Sequence, residues 1–294
     1  MKVFVFGANG YIGSAVCAEL RAHGHKIVAQ TTRDEAASAL EEAGYTPIVG
    51  KMEQPDNWLE TALQCDAIIQ LADSFGPDAE QVERKMLNAL EAALDDAGKT
   101  MRIIYTGGCW LFGNTGDSVA AEGDALVPLK AFEYCVKHRQ RLLDSDHFDA
   151  MTIHPAMVWD KNGGVLSEMI GAARAGKPVQ VVNSPDTRWP MVHRDDTASL
   201  YRLVLEKGKP GAEYHAVAGN AVTVADLATA IGRRLAFRPQ FDVVSENEIA
   251  KQRGNWARGY GLDQQMSAKA TMKELGWKPK YADILAHLSP YGPR

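Results

Sequence analysis

"FVFGANGYIG", residues 4–13, joins an apolar run to three glycines, Gly7, Gly10 and Gly13, in the order G-x-x-G-x-x-G. Each glycine meets a separate physical demand. Gly7 lets the chain leave a strand in a sharp turn, Gly10 lets backbone approach a pyrophosphate, and Gly13 lets a helix pack close to the strand. The N-terminus of that helix offers unpaired N–H groups and a positive dipole end to phosphates. Glycines alone also serve ordinary tight turns, so the context carries the reading. A strand, glycine turn, helix and second strand at the head of the chain predict a dinucleotide-binding unit.

Outward from this stretch, short apolar runs alternate with helix-like segments, the pattern of a parallel sheet covered on both faces. "KVFVFGA", "KIVAQTT", "TPIVG", "CDAIIQLAD", "MRIIYTGG" and "DAMTIHPAMVW" read as strands. Residues 11–23, "EAASALEEAG", "NWLETALQ", "AEQVERKMLNALEAALDDAG" and "AFEYCVKHRQRLLDSD" read as the helices between them. Beyond Trp159 the regularity fades, although "VTVADLATAIGRRLA" is an amphipathic helix with Thr223 as its N-cap. The expected class is α/β, a doubly wound parallel sheet with a smaller C-terminal substrate lobe. The dinucleotide-binding domain is expected to span residues 1–160, taking in about 186–208, with 161–294 forming mainly the lobe.

Composition narrows the function. A net charge of -5 with no basic cluster argues against nucleic acid or an anionic membrane as partner. Cys17, Cys65, Cys109 and Cys135 are scattered without metal-ligand spacing, so free thiols in a reducing cytoplasm are expected and no metal is. The opening "MKVFVFGANG" is too short an apolar run for a signal peptide or membrane anchor.

The end of the second strand chooses between cofactors. An acid there holds the ribose 2′-hydroxyl of NAD and repels a 2′-phosphate. The chain instead reads "QTTRDE", so Thr31, Thr32 and Arg33 supply two hydroxyls and a guanidinium, the chemistry a phosphate monoester wants. NADP(H) is therefore expected over NAD(H).

With these residues in place, the chain resembles the extended short-chain dehydrogenase/reductase superfamily of the NAD-dependent epimerase/dehydratase kind, divergent at its catalytic positions. The resemblance is carried by "FGANGYIGSAV", "CDAIIQLAD", Asn88, "YTGGCWLFG", "HPAMVW", "WPMVHRDDTASLY" and "SAKATMKELGWKPK". It implies a seven-stranded Rossmann-type sheet, a small-molecule substrate and the possibility of a homodimer. It also implies cofactor contacts from Gly7, Asn9, Gly10, Tyr11, Ile12, Gly13, Thr32, Arg33, Leu71, Ala72, Lys137 and Pro155.

The catalytic positions depart from the pattern. Family members carry a serine or threonine after the strand "RIIYT", then a tyrosine and, four residues on, a lysine. Here Gly107 and Gly108 stand where serines would be, which leaves Thr106. Tyr134 is followed four residues on by His138; Lys137 pairs at that spacing with Glu133; Cys135 pairs with Ala131. The expected catalytic set is Thr106, Tyr134 and Lys137, with His138 as an alternative proton donor. Trp110, Trp159 and Trp189 are expected to wall an apolar substrate site. The leading expectation is an NADP(H)-dependent reductase or dehydrogenase for a small apolar carbonyl or alcohol. A sugar-nucleotide epimerase or dehydratase and a non-catalytic NADP(H)-binding regulator stand as alternatives.

Overall fold

The run Lys2–Phe6 is strand β1 of the computed structural model, which describes residues 1–289. It is followed by α1 (Tyr11–Ala22), β2 (Lys26–Thr31), α2 (Asp34–Glu42), β3 (Thr46–Val49), the short α3 (Leu59–Leu63) and β4 (Ala67–Gln70). Next come α4 (Ala79–Ala97), β5 (Met101–Thr106), α5 (Glu133–Asp144), β6 (Phe148–Pro155), β7 (Met157–Asp160), β8 (Gly163–Gly164) and α6 (Ser167–Ala175). The remainder comprises β9 (Val179–Val182), β10 (Arg188–His193), α7 (Arg194–Lys207), β11 (Glu213–Ala216), β12 (Gly219–Thr223) and α8 (Val224–Leu235). It closes with β13 (Phe241–Val244), α9 (Glu246–Arg253), α10 (Lys269–Leu275) and α11 (Ile284–Leu288).

Seven strands form one sheet in the order β11-β6-β5-β4-β1-β2-β3. The pairs from β3 to β6 are parallel, with Val3 opposite both Ile27 and Ala67. Thr152 N donates to Ala212 O and Ala156 N to Ala216 O, so β11 runs the same way beside β6. The order reverses at β1, the topological switch point where open α/β sheets hold ligands beyond their strand ends. This is the expected α/β class with its Rossmann-type sheet.

The chain divides into two compact units. One comprises residues 1–107, 134–153 and 198–214; the other comprises 108–133, 154–197 and the chain from His215 onward. In the first, alternation sends Phe4, Phe6, Ile103 and Tyr105 to one sheet face, where they meet Trp58, Met86, Leu87, Leu90, Leu94 and Leu142. The Trp58 ring stands edge-on to Phe6 with centroids 4.9 Å apart. The cysteines Cys17, Cys65, Cys109 and Cys135 are free and buried.

The division differs from the expected 1–160 with about 186–208: residues 108–133, 154–160 and 186–197 fall in the second unit and 209–214 in the first, and two of these differences have a local cause. "DAMTIHPAMVW", read as one strand, is two: β6 stays in the large sheet, while β7 pairs in parallel with β10. Pro155 is the last residue of the first strand and lacks the N–H that would extend its ladder on the β5 side. The segment after β5 also belongs to the second unit, because Gln264 Nε2 donates to the carbonyls of Cys109 (2.7 Å) and Gly113 (2.6 Å). Within that unit, β12, β10, β7 and β8 form a second sheet and β13 pairs with β9. Thr223 caps α8 as expected, its hydroxyl accepting from Asp226 N. No helix among the described residues is long and apolar enough to cross a membrane.

Candidate cofactor site and active site

The glycine turn lies at the end of β1, against the exit of β4. A Cβ at Gly7 would stand 2.9 Å from Ala72 N and from the carbonyl carbon of Leu71, and the residue has φ +77°, so glycine is required twice over. A Cβ at Gly13 would stand 2.0 Å from Gly7 O, which shows how closely α1 approaches the turn. Gly10 N donates to Gly7 O at 3.0 Å and closes the loop. Gly10 is the N-cap of α1 and carries no side-chain cap, and the first turn holds no acid. The leading N–H groups and dipole are thus left for an anion, and the cradle fits a dinucleotide pyrophosphate. Gly7, Gly10 and Gly13 would shape this cradle; Asn9, Tyr11 and Ile12 line the same turn in sequence.

Gln70, the last residue of β4, is a polar residue that the sequence reading passed over. Its amide accepts from Ala72 N and donates to Ala72 O, both at 3.0 Å, which clamps the backbone opposite Gly7. The only signal for it was a polar side chain ending an apolar strand.

Past β2, Thr31 is buried and its hydroxyl accepts from Asn9 Nδ2 (3.5 Å) and Arg33 N (3.4 Å). Thr32 and Arg33 are exposed, and Asp34 and Glu35 occupy the first turn of α2. The acids thereby face the favourable end of a helix dipole. Arg33 and Thr32 remain as the exposed polar side chains directly after the strand. Pro155 is buried at the end of β6, in the second unit.

The expected catalytic residues each have a different environment. Thr106, ending β5, shares a 2.7 Å hydrogen bond with the hydroxyl of buried Tyr201 on α7. Tyr134, in the first turn of α5, donates its hydroxyl to Asp73 Oδ2 at 2.7 Å. Burial, with Cys135 and the Asp73 carboxylate adding to it, pushes this phenol well above the usual tyrosine range. Lys137 is exposed on another face of α5. His138, four residues after Tyr134, turns inward, with Nδ1 3.5 Å from Glu83 Oε1 of α4 and both side chains 7% exposed. The Tyr134 and His138 rings meet edge-on at 5.8 Å. Tyr105 is hydrogen-bonded to the same Glu83, and burial first, then that carboxylate, pushes its phenol up. Burial raises the Cys135 thiol to about 12, so it is a protonated group of the interior. Asp73 and Glu83 are the functional candidates that reading the sequence missed. Asp73 left one trace, an acid at the mouth of β4.

The three tryptophans also separate. Trp189 is buried, donates Nε1 to Tyr260 O at 3.2 Å, and lines a cavity of about 390 Å³ within the second unit. Its walls include Val165, Met169, Ala172, Val179, Val181, Val224, Ile249 and Tyr260. The charged side chains on the lining are Glu168 and Arg253, which pair with each other, Nη2 to Oε2 at 2.6 Å. Trp110 packs against Phe132, Trp256 and Tyr260, its ring 5.3 Å from the last. Trp159 is 1% exposed and sits edge-on to His193, so it belongs to the packed interior of the unit.

The two arginines near these segments are engaged. Arg188 meets Asp263 through Nε (2.9 Å) and Nη2 (2.5 Å) and Asp117 through Nη1 (3.0 Å). The Arg188 hydrogen bonds hold the Asp263 carboxyl below its usual range. Arg194 Nη1 lies 3.9 Å from Asp160 Oδ2.

The family model for the NAD dependent epimerase/dehydratase family matches residues 3–218. An uncharacterized protein of Schizosaccharomyces pombe, C2A9.02, is 27% identical over 296 residues, covering 98% of each chain. A 4-hydroxy-2-methyl-3-oxo-4-farnesyl-3,4-dihydroquinoline-1-oxide ketoreductase of Stigmatella aurantiaca is 22% identical, covering 78% of this chain and 72% of its own. Among solved structures, the dTDP-glucose 4,6-dehydratase DesIV of Streptomyces venezuelae, with NAD bound, superposes with a TM-score of 0.82 at 17% identity, covering 98% of this chain and 95% of that one. The human epimerase family protein SDR39U1, solved with NADPH, gives 0.77 at 20% identity, covering 98% of both.

Proposed function

The chain belongs to the NAD dependent epimerase/dehydratase family, and from that premise we propose that it is an NADP(H)-dependent oxidoreductase acting on a compact, largely apolar carbonyl or alcohol. The observation that carries the substrate class is the cavity of the second unit. Its apolar walls carry one self-paired Glu168–Arg253 couple, and Arg188 nearby in sequence to its Trp189 wall is held by two carboxylates. A nucleotide sugar needs cations or several polar donors for its diphosphate. Prying Arg188 from Asp263 and Asp117 would cost the charge-assisted bonds it already makes. The ketoreductase relative acts, by its name, on a farnesylated quinoline oxide, which is consistent with an apolar carbonyl substrate.

The cofactor preference rests on Thr32 and Arg33, exposed where β2 ends, with the nearest acids drawn into the first turn of α2. The cofactor would supply hydride chemistry, and this chain would hold it through the glycine cradle and the N-terminus of α1. We place the protein in the cytoplasm, where four buried free thiols suit a reducing compartment.

Calorimetry on the NADP-loaded protein tests the substrate class. Binding of small aromatic or aliphatic carbonyls, without comparable binding of UDP-, GDP- or dTDP-sugars, is the expected result. Micromolar binding of a nucleotide sugar alone overturns it and promotes the epimerase or dehydratase reading. A second reading, a cofactor-binding regulator without turnover, draws on the engagement of Thr106 by Tyr201 and of Tyr134 by Asp73. NADPH consumption on a carbonyl panel separates the two.

A further inference from the structure

Two carboxylates approach the inward face of α5, and each takes one of the residues at tyrosine and lysine spacing. Asp73 accepts from Tyr134, and Glu83 faces His138. The lysine position is thus filled by an imidazole committed to the interior, and Lys137 is exposed elsewhere on the helix. In the family pattern a lysine cation favours the phenolate. Here the nearest ionisable partner of the phenol oxygen is an acid at 2.7 Å, and like charges at that distance oppose a phenolate. A tyrosinate base is therefore the wrong chemistry for this site.

A different route is set up instead. A phenol has one proton and two acceptor lone pairs. The single proton of Tyr134 is directed to Asp73 Oδ2; of the two lone pairs one faces the Cys135 thiol, and the other can accept a proton from a further hydroxyl. Asp73 is itself exposed and can exchange protons with water. Its orientation is fixed, because Oδ1 accepts from Phe75 N at 2.7 Å in the turn leaving β4.

Resting on the oxidoreductase reading above, we propose that Asp73 is the positioning residue through which Tyr134 passes its proton to and from solvent, in place of a lysine on α5. In alcohol oxidation, the substrate O–H bond breaks as its proton bonds to the Tyr134 oxygen, and the Tyr134 O–H bond breaks as that proton bonds to Asp73 Oδ2. A bound oxidised nicotinamide dinucleotide would supply the acceptor for the hydride leaving the carbinol carbon, so the electrons balance as the C=O bond completes. Tyr134 ends neutral as it began, and Asp73 releases its proton to water. Carbonyl reduction runs the same transfers backwards. The titratable groups facing this pair are Cys135 and His138 on α5, Glu83 on α4 and Tyr105 on β5.

The test compares the full-length wild type with Asp73→Asn, Asp73→Glu and Tyr134→Phe on whichever alcohol of the panel is oxidised with NADP+. The expected wild-type kcat falls through one limb as acid is added. Asp73→Asn should lower kcat by about tenfold or more and abolish that limb, with cofactor affinity unchanged. Asp73→Glu should recover most of the rate and keep a limb. A second readout needs no activity. The [13Cζ]tyrosine NMR signal of Tyr134, assigned by its loss in Tyr134→Phe, should move with acid through the carboxylate range in wild type and stay still in Asp73→Asn. Equal kcat and an unchanged acid limb in Asp73→Asn overturn the proposal while leaving the redox reading intact, and so does a wild-type Tyr134 signal that ignores acid. A wild type that turns over no alcohol or carbonyl removes the redox reading, and the proposal with it.

Discussion

Arg33 is the residue on which cofactor choice turns. It is exposed at the N-cap of α2, its backbone N–H tied to Thr31, and it is the first cation in sequence beyond β2. One charge-assisted bond to a phosphate contributes about 1.5–3 kcal/mol. Arg33→Asp should therefore weaken NADPH binding about tenfold or more while changing NADH binding little, as read by fluorescence titration of both. Equal losses would show that Arg33 does not contact a 2′-phosphate. His193 offers a pH test of the second unit. Its ring stacks on Tyr281 at 3.8 Å, and burial lowers its pKa from 6.5, outweighing the carboxylates nearby that pull the other way. For a base whose folded pKa is depressed, the unfolded chain binds the extra proton first. Stability should therefore be complete above about pH 6.5 and decline as the pH falls from there toward the lower folded value. Urea unfolding at pH 7.5 and pH ~5.5 should show this decline in wild type and a smaller one in His193→Gln. An identical decline in both would assign the acid sensitivity to other groups.

At the scale of elements, the contact of α1 with the turn after β1 sets the cofactor cradle. A methyl at Gly13 would meet the backbone oxygen of Gly7, which no rotamer change can move aside. Gly13→Ala should cost ~1–3 kcal/mol or more of stability and abolish cofactor binding, because α1 must back away from β1. Denaturation midpoint and dinucleotide titration check both halves; normal NADPH affinity in this variant would contradict the close approach. This contact was legible in the spacing of three glycines. The orientation of α5 was only half legible. Its buried stripe, Tyr134, Cys135, His138 and Leu142, follows helical periodicity. The partners of that stripe could not be read, since Asp73 and Glu83 arrive from β4 and α4, far off in sequence. The same holds for β6 and β7, which look like one apolar run and part company only because β7 finds β10.

For the molecule as a whole, a ligand that binds only the folded chain stabilises it by mass action. NADPH at a hundred times its dissociation constant should add about 2.7 kcal/mol, raising the melting temperature by several degrees. NADH at the same concentration should add less, and Arg33→Asp should erase the difference between them. A melting temperature indifferent to both dinucleotides would remove the cofactor assignment altogether. What the sequence by itself determined is what local pattern controls: the glycine cradle, the strand–helix alternation, the cap of α8 and the absence of an acid at the end of β2. These depend on neighbours within a few residues, where steric and dipole rules act. What only the tertiary structure decided is where long-range partners fall. Trp159 went to the interior while Trp189 reached a cavity, Arg188 was captured by Asp117 and Asp263, and Tyr134 was given a carboxylate for a partner. The reason is that hydrogen bonds and ion pairs join atoms brought together by chain crossings, and a linear sequence carries no distance between strands and helices so far apart.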